Sequence, residues 1–118
     1  IVLATVEGDI HDIGKNIVRT VLEYYGFRVV DLGRDVSAER VVEAVRQYGA
    51  KIVGLSALMT TTVPSMEKTI ARLHENGLHV PVIVGGAVLT PDYAKKIGAD
   101  YYAKDAKQSA DIAKSILG

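Results

Sequence analysis

Apolar residues fall along this chain in five short clusters rich in β-branched side chains: "IVLATV" (1–6), "FRVVDL" (27–32), "KIVGLS" (51–56), "VPVIVGG" (80–86) and the weaker "ADYYA" (99–103). Each is followed by a longer stretch in which apolar residues recur at helical spacing, so strand and helix alternate five times. The first helical stretch carries one apolar stripe, with Ile17, Val18, Val21, Leu22 and Tyr25 at i, i+1, i+4, i+5 and i+8, and Gly26 stops it. Gly49, Gly77 and Gly98 close the next three helices in the same way. The start signals agree: Ser37 suits the cap of the second helix, Pro64 the first turn of the third, Thr90-Pro91 the N-cap and N1 of the fourth, and Asp105 the cap of the last.

Near-continuous apolar strands with helices between them need cover on both faces, which predicts a parallel sheet joined by right-handed crossovers. Five such units predict one α/β domain over residues 1–118, a flavodoxin-like (Rossmann-like), doubly wound five-stranded sheet of order 2-1-3-4-5. In such sheets ligands bind beyond the carboxyl ends of the strands, where the order reverses between the first and third. That rule selects the loops "EGDIHDIG", "GRDVS", "SALMTTTV", "GGAVLT" and "KDAK".

Composition narrows the functions further. Lys+Arg and Asp+Glu are equal at 14 each, so no overall field gathers nucleic acid or an anionic membrane. There is no cysteine, which removes disulfides, thiolate metal sites and a cysteine nucleophile, and a cytoplasmic setting is expected. No apolar run approaches the roughly 18 residues of a membrane span. The chain opens on a strand-like run without methionine, so a piece of a longer protein is expected.

The candidate chemistry lies in the first of those loops. Asp9 and Asp12 can be read as turn and helix-start residues that satisfy free amides. His11 stands between them in a loop at the switch point rather than on an apolar helix face. A neutral imidazole there can ligate a metal through one nitrogen while giving its other N–H to a carboxylate, for which Asp9 is the natural partner. His74 falls on the third helix and His79 in the turn after it, at the opposite end of the sheet, so one His with carboxylates falls short of the usual zinc ligand sets. A metal at His11 is therefore expected to arrive already held by something else. Ser56, Thr60, Thr61 and Thr62 make the third loop rich in hydroxyls, read either as turn and cap residues or as groups converging on His11 and on a ligand heterocycle. Gly85 and Gly86 end a buried strand where a ligand can approach closely.

Other motifs fit less well. "GDIH" is similar to the opening metal motif of calcineurin-like phosphoesterases, but the further His clusters they need do not follow. A receiver domain needs a phosphorylatable Asp where Ser56 stands, although Asp9, Asp12 and Lys104 would suit it. "GDIHDIG" is not the G-x-G-x-x-G of a dinucleotide site.

Together the residues resemble the cobalamin-binding (corrinoid-binding) domain family, with its motif D-x-H-x-x-G, then S-x-L, then G-G. Here these read Asp9-Ile10-His11-Asp12-Ile13-Gly14, Ser56-Ala57-Leu58 and Gly85-Gly86, with 41 residues (15 to 55) and 26 residues (59 to 84) between them. "GDIHDIGKNIV", "VDLG" and "GADYYAKDA" look closest to the methyl-transferring branch, meaning methionine synthase and the small corrinoid proteins. The resemblance implies a cobalamin or related cobamide bound base-off, with His11 as axial ligand to cobalt and Asp9 and Thr62 as a proton relay on it. Thr62 stands where methionine synthase carries Ser, which keeps the hydroxyl and adds a methyl.

By the same resemblance Ser56 and Thr60 contact the buried base and Leu58 lines its slot. Gly85 and Gly86 flank the nucleotide tail, the loop from Lys104 to Ala106 closes over it, and Gly8, Ile10, Asp12, Ile13, Gly14 and Met59 complete the cofactor-binding set. A methyl carrier follows, not catalytic alone, that shuttles a methyl group on cobalt between a substrate-specific methyltransferase and a second methyltransferase with tetrahydrofolate or a thiol as acceptor, served by a reductive activator. Loss of the methyl lowers the cobalt coordination number, and His11 is expected to leave as it does. An N-terminal helical bundle usual in that branch is expected outside this chain. The rival readings are a cobalamin-dependent sensor or regulator and the small subunit of a mutase.

Overall fold

Hydrogen bonding between neighbouring apolar segments turns those clusters into one five-stranded, all-parallel sheet of order β2-β1-β3-β4-β5, seen in a computed structural model described over residues 1–117. The elements run β1 Val2–Thr5, α1 Ile13–Tyr24, β2 Val30–Asp31, α2 Ala38–Tyr48, β3 Val53–Ser56, α3 Val63–Glu75, β4 Val82–Gly85, α4 Pro91–Lys96, β5 Tyr101–Tyr102 and α5 Ala106–Leu117. The predicted order is the observed one. Register sets Thr5 beside Ser56 and Ser56 beside Gly85, so the motif segments begin from one sheet edge.

Most helix boundaries follow local chemistry. The Ser37 hydroxyl accepts from the Arg40 amide and Thr90 from the Tyr93 amide, while the Asp105 carboxylate accepts from the Gln108 amide at 2.8 Å. Gly49 takes the left-handed conformation that closes α2. The second cluster contributes only two residues of strand. As an edge strand it pairs with β1 alone, and Phe27 and Val29 pack beside Leu22 and Ile52 instead of extending the ladder.

The two faces differ. On one, α2, α3 and α4 bury Val41, Val45, Met66, Ile70, Leu73 and Ile97 against Val2, Val53 and Val84. On the other, α1 and α5 cover a smaller cluster of Leu3, Leu22, Ile52, Ile83, Ala110 and Ala113. The stripe of α1 is therefore only partly core: Leu22 is buried, but Ile17 is 53% exposed and Ile13 77%. Those two side chains border the cavity described next.

Candidate functional site

A cavity of about 750 Å³ opens at the carboxyl edge of the sheet and runs down between α1 and α5. Its floor is sheet, from Leu3, Ile52, Gly54 and Ile83, and its walls are Ile13, Ile17 and Val18 of α1 opposite Ala106, Ser109 and Ala113 of α5. The half-covered apolar stripe of α1 is thus one wall of a binding slot. Further in, α1 and α5 make contact where Lys114 Nζ sits 4.1 Å from the centre of the Tyr25 ring.

His11 lies at the mouth of this slot, in the loop between β1 and α1, with its side chain 43% exposed. Asp9 behind it is fully buried. Its Oδ1 accepts from the His11 amide at 2.9 Å and stands 2.8 Å from His11 Nδ1; its Oδ2 accepts from the Leu58 amide at 2.8 Å and the Thr62 hydroxyl at 2.7 Å. Burial alone would raise the Asp9 carboxyl, but the Leu58 and His11 amides, the Thr62 hydroxyl and the His11 ring outweigh it and hold it well below the usual carboxylate range. A carboxylate only accepts, so the proton of a neutral His11 sits on Nδ1 and the Nε2 lone pair is left without a hydrogen-bond partner among the described residues.

Thr62 occupies the N-cap position of α3, but its hydroxyl makes no cap bond. It lies between Asp9 Oδ2 and the Met59 carbonyl, 2.9 Å away, and its single proton favours the charged acceptor. Asp12 likewise stands at the start of α1, as expected, but its side chain makes no cap bond, so it does not satisfy a free amide there.

Of the residues singled out in the sequence, Ile10, His11, Asp12, Ile13 and Gly14 line the cavity from the first loop. Ser56, Leu58, Gly85 and Gly86 line it from the ends of β3 and β4, and Lys104 and Ala106 from the start of α5. Gly8, Asp9, Met59, Thr60 and Thr62 are not on its wall; Asp9 and Thr62 sit buried behind His11, and Thr60 faces solvent. His74 and His79 are exposed with their rings 5.6 Å apart, remote from the slot. Sequence reasoning passed over two residues. Lys15, almost fully buried on α1, pairs with Asp31 at 2.5 Å, and Asp35 binds the loop that carries Asp9.

The donor set fits a cobalt corrinoid. Among the described residues no cluster of three or more His, Cys, Asp or Glu can hold a metal ion, whereas one oriented imidazole nitrogen at the mouth of a long apolar slot suits a metal already chelated by a large ring. Gly85 and Gly86 line the cavity from the end of β4, and the backbone there packs tightly: a Cβ on Gly86 would stand 1.8 Å from the Ala57 carbonyl oxygen, and one on Gly85 3.2 Å from that of Ala103.

Comparison with known proteins agrees with this geometry. Over 99% of its length the chain is 50% identical to dimethylamine corrinoid protein 1 of Methanosarcina acetivorans, spanning 56% of that protein, and 50% identical to dimethylamine corrinoid protein 3 of Methanosarcina mazei, spanning 71% of it. The chain thus covers between about half and three quarters of these relatives. A cobalamin-binding protein from Desulfitobacterium hafniense superposes with a TM-score of 0.96 at 42% identity, over 99% of this chain and 58% of that one. The methanol:cobalamin methyltransferase complex MtaBC from Methanosarcina barkeri matches with 0.94 at 40%, over 98% of this chain and 45% of the other. The B12 binding domain family matches residues 1–111, and with the oriented His11, the slot and the glycine edge in place this chain belongs to that family of cobalamin-binding domains.

Proposed function

We propose that this domain carries the corrinoid of a methyltransferase system, with His11 Nε2 as the lower axial ligand of a base-off cobamide. The observation that carries the reading is the Asp9-held imidazole, its Nε2 without a hydrogen-bond partner among the described residues, at the mouth of a cavity of about 750 Å³ between α1 and α5. When bound, the corrinoid supplies a cobalt centre that accepts and releases a methyl group.

The chain's own residues bind and orient. Asp9 fixes the tautomer in which Nε2 carries the lone pair. Whether or not a metal is held at Nε2, the buried Asp9 carboxylate would keep the imidazole oriented through Nδ1. The Thr62 hydroxyl holds the far oxygen of that carboxylate, so the three side chains act as one relay. Ser56 and Leu58 offer a hydroxyl and an apolar surface to the displaced base; Gly85, Gly86 and the turn from Lys104 to Ala106 hold the tail. The partners we propose are a substrate-specific methyltransferase, a second methyltransferase with a folate or thiol acceptor, and a reductive activator, in the cytoplasm. The names of the relatives, corrinoid proteins for methylamines and a methanol methyltransferase complex, support that choice.

The test is a visible-absorption titration with aquo- and methyl-cobamide, run on the domain and on His11→Ala. Stoichiometric binding with a base-off, imidazole-ligated spectrum that His11→Ala abolishes is the expected result. Binding with the same spectrum in both proteins would sink the axial assignment.

A further inference from the structure

Asp35 is an exposed residue that holds an uncommon backbone conformation, with φ of +53°, the one positive φ among the described non-glycine residues. It packs into no core. Such a conformation persists where surrounding bonds over-determine it, and here both bonds lead to one place. The Asp35 carboxylate accepts from the Gly8 amide at 2.7 Å, and its own amide donates to the Asp9 carbonyl at 2.9 Å. The two bonds bracket the backbone of Asp9, one before it and one after. Val36 then rejoins the sheet, pairing with Val6 and donating to the Thr5 carbonyl, which anchors the clasp to β1.

Asp9 is consequently held from two sides by different means. Its side chain is fixed from the β3–α3 loop by Leu58 and Thr62, and its main chain from the β2–α2 loop by Asp35. We infer that Asp35 is a positioning residue for the axial histidine: by clasping Gly8 and Asp9 it sets where the Asp9 carboxylate stands and hence which way His11 Nε2 points. The inference rests on the reading of His11 as axial ligand.

Its test separates positioning from mere stability. Asp35→Gly tolerates the left-handed conformation but removes the carboxylate, whereas Asp35→Asn tolerates it and keeps an acceptor oxygen. In the ligand-free protein, Asp35→Gly is expected to speed exchange of the Gly8 amide by roughly five- to tenfold, as loss of one hydrogen bond implies. It also mixes the His11 tautomers seen by ¹⁵N NMR. Titrated with aquocobalamin, it is expected to show a mixture of imidazole-ligated and unligated spectra, while Asp35→Asn restores the wild-type spectrum. Should Asp35→Gly fail to fold, Asp35→Ser, one atom too short to reach Gly8, takes its place.

A variant without the carboxylate that keeps a single His11 tautomer and a fully ligated spectrum would overturn the inference, whatever its melting temperature. So would an Asp35→Asn protein as impaired as Asp35→Gly. Failure of the axial reading itself looks different, because wild type and His11→Ala then share one spectrum.

Discussion

At the scale of single residues, position and partner matter more than type. Thr62 stands where a helix cap is expected, yet its proton serves Asp9, so the site takes a hydroxyl from the helix start. Gly86 shows a second such priority. The sequence reading gives its missing side chain to an approaching ligand, and the structure adds a constraint from the protein itself, because a Cβ there runs into the Ala57 carbonyl and the backbone has φ of +141°. Gly86→Ala must push the ends of β3 and β4 apart; the expected loss is about 3 kcal/mol, read as a lower urea midpoint at unchanged m. The pairing of Asp9 with His11 was legible because the two share the D-x-H-x-x-G segment, whereas Thr62 lies outside the motif and its place in the relay entered only through the family resemblance. Asp35 was not legible, because nothing in "GRDVS" announces a left-handed aspartate or a partner 27 residues away.

At the scale of elements, α1 is both a cavity wall and a tethered rod. Lys15 in its first turn pairs with Asp31 at the end of β2, and Arg19 reaches the same carboxylate at 3.1 Å. Burial would raise the Asp31 carboxyl, but the Lys15 hydrogen bond, the Gly33 amide and the charges of Lys15 and Arg19 lower it. A folded-state value below the unfolded one stabilises the fold above about pH 4, and that contribution fades as pH falls toward the folded value. Asp31→Asn, which leaves Lys15 buried without its counter-charge, is expected to cost about 2–4 kcal/mol at pH 7. Denaturant melts between pH 7 and 2.5 should show the deficit shrinking as wild-type Asp31 protonates; a constant gap would argue against the ion pair as its source. Lys15 stands seven residues before Leu22, at the border of the apolar stripe, where a lysine reads as a solvated flank, so neither its burial nor its partner Asp31 could be read from periodicity. The stripe through Ile17 was read correctly as a helix face, but whether it meets sheet or slot depends on how far α5 stands off.

For the whole molecule, alternation of apolar clusters sufficed to predict strand order, because crossover handedness and two-faced burial leave few other arrangements. It could not predict that the α1/α5 face is the thinner one, and the slot exists because that face is incompletely filled. A ligand that occupies it binds only the folded chain. At a hundredfold excess over Kd such binding adds about 2.7 kcal/mol, which for a domain of this size raises Tm by roughly 10 °C. Calorimetry with aquocobalamin is expected to show that rise, and His11→Ala to keep part of it, since the slot walls remain. The sheet margins carry one more consequence. β2 and β5 are two residues each, so neither edge offers a ladder on which a foreign strand could extend. Strand addition is thereby closed as a mode of recognition, and whatever docks on this domain must read loops and helix flanks.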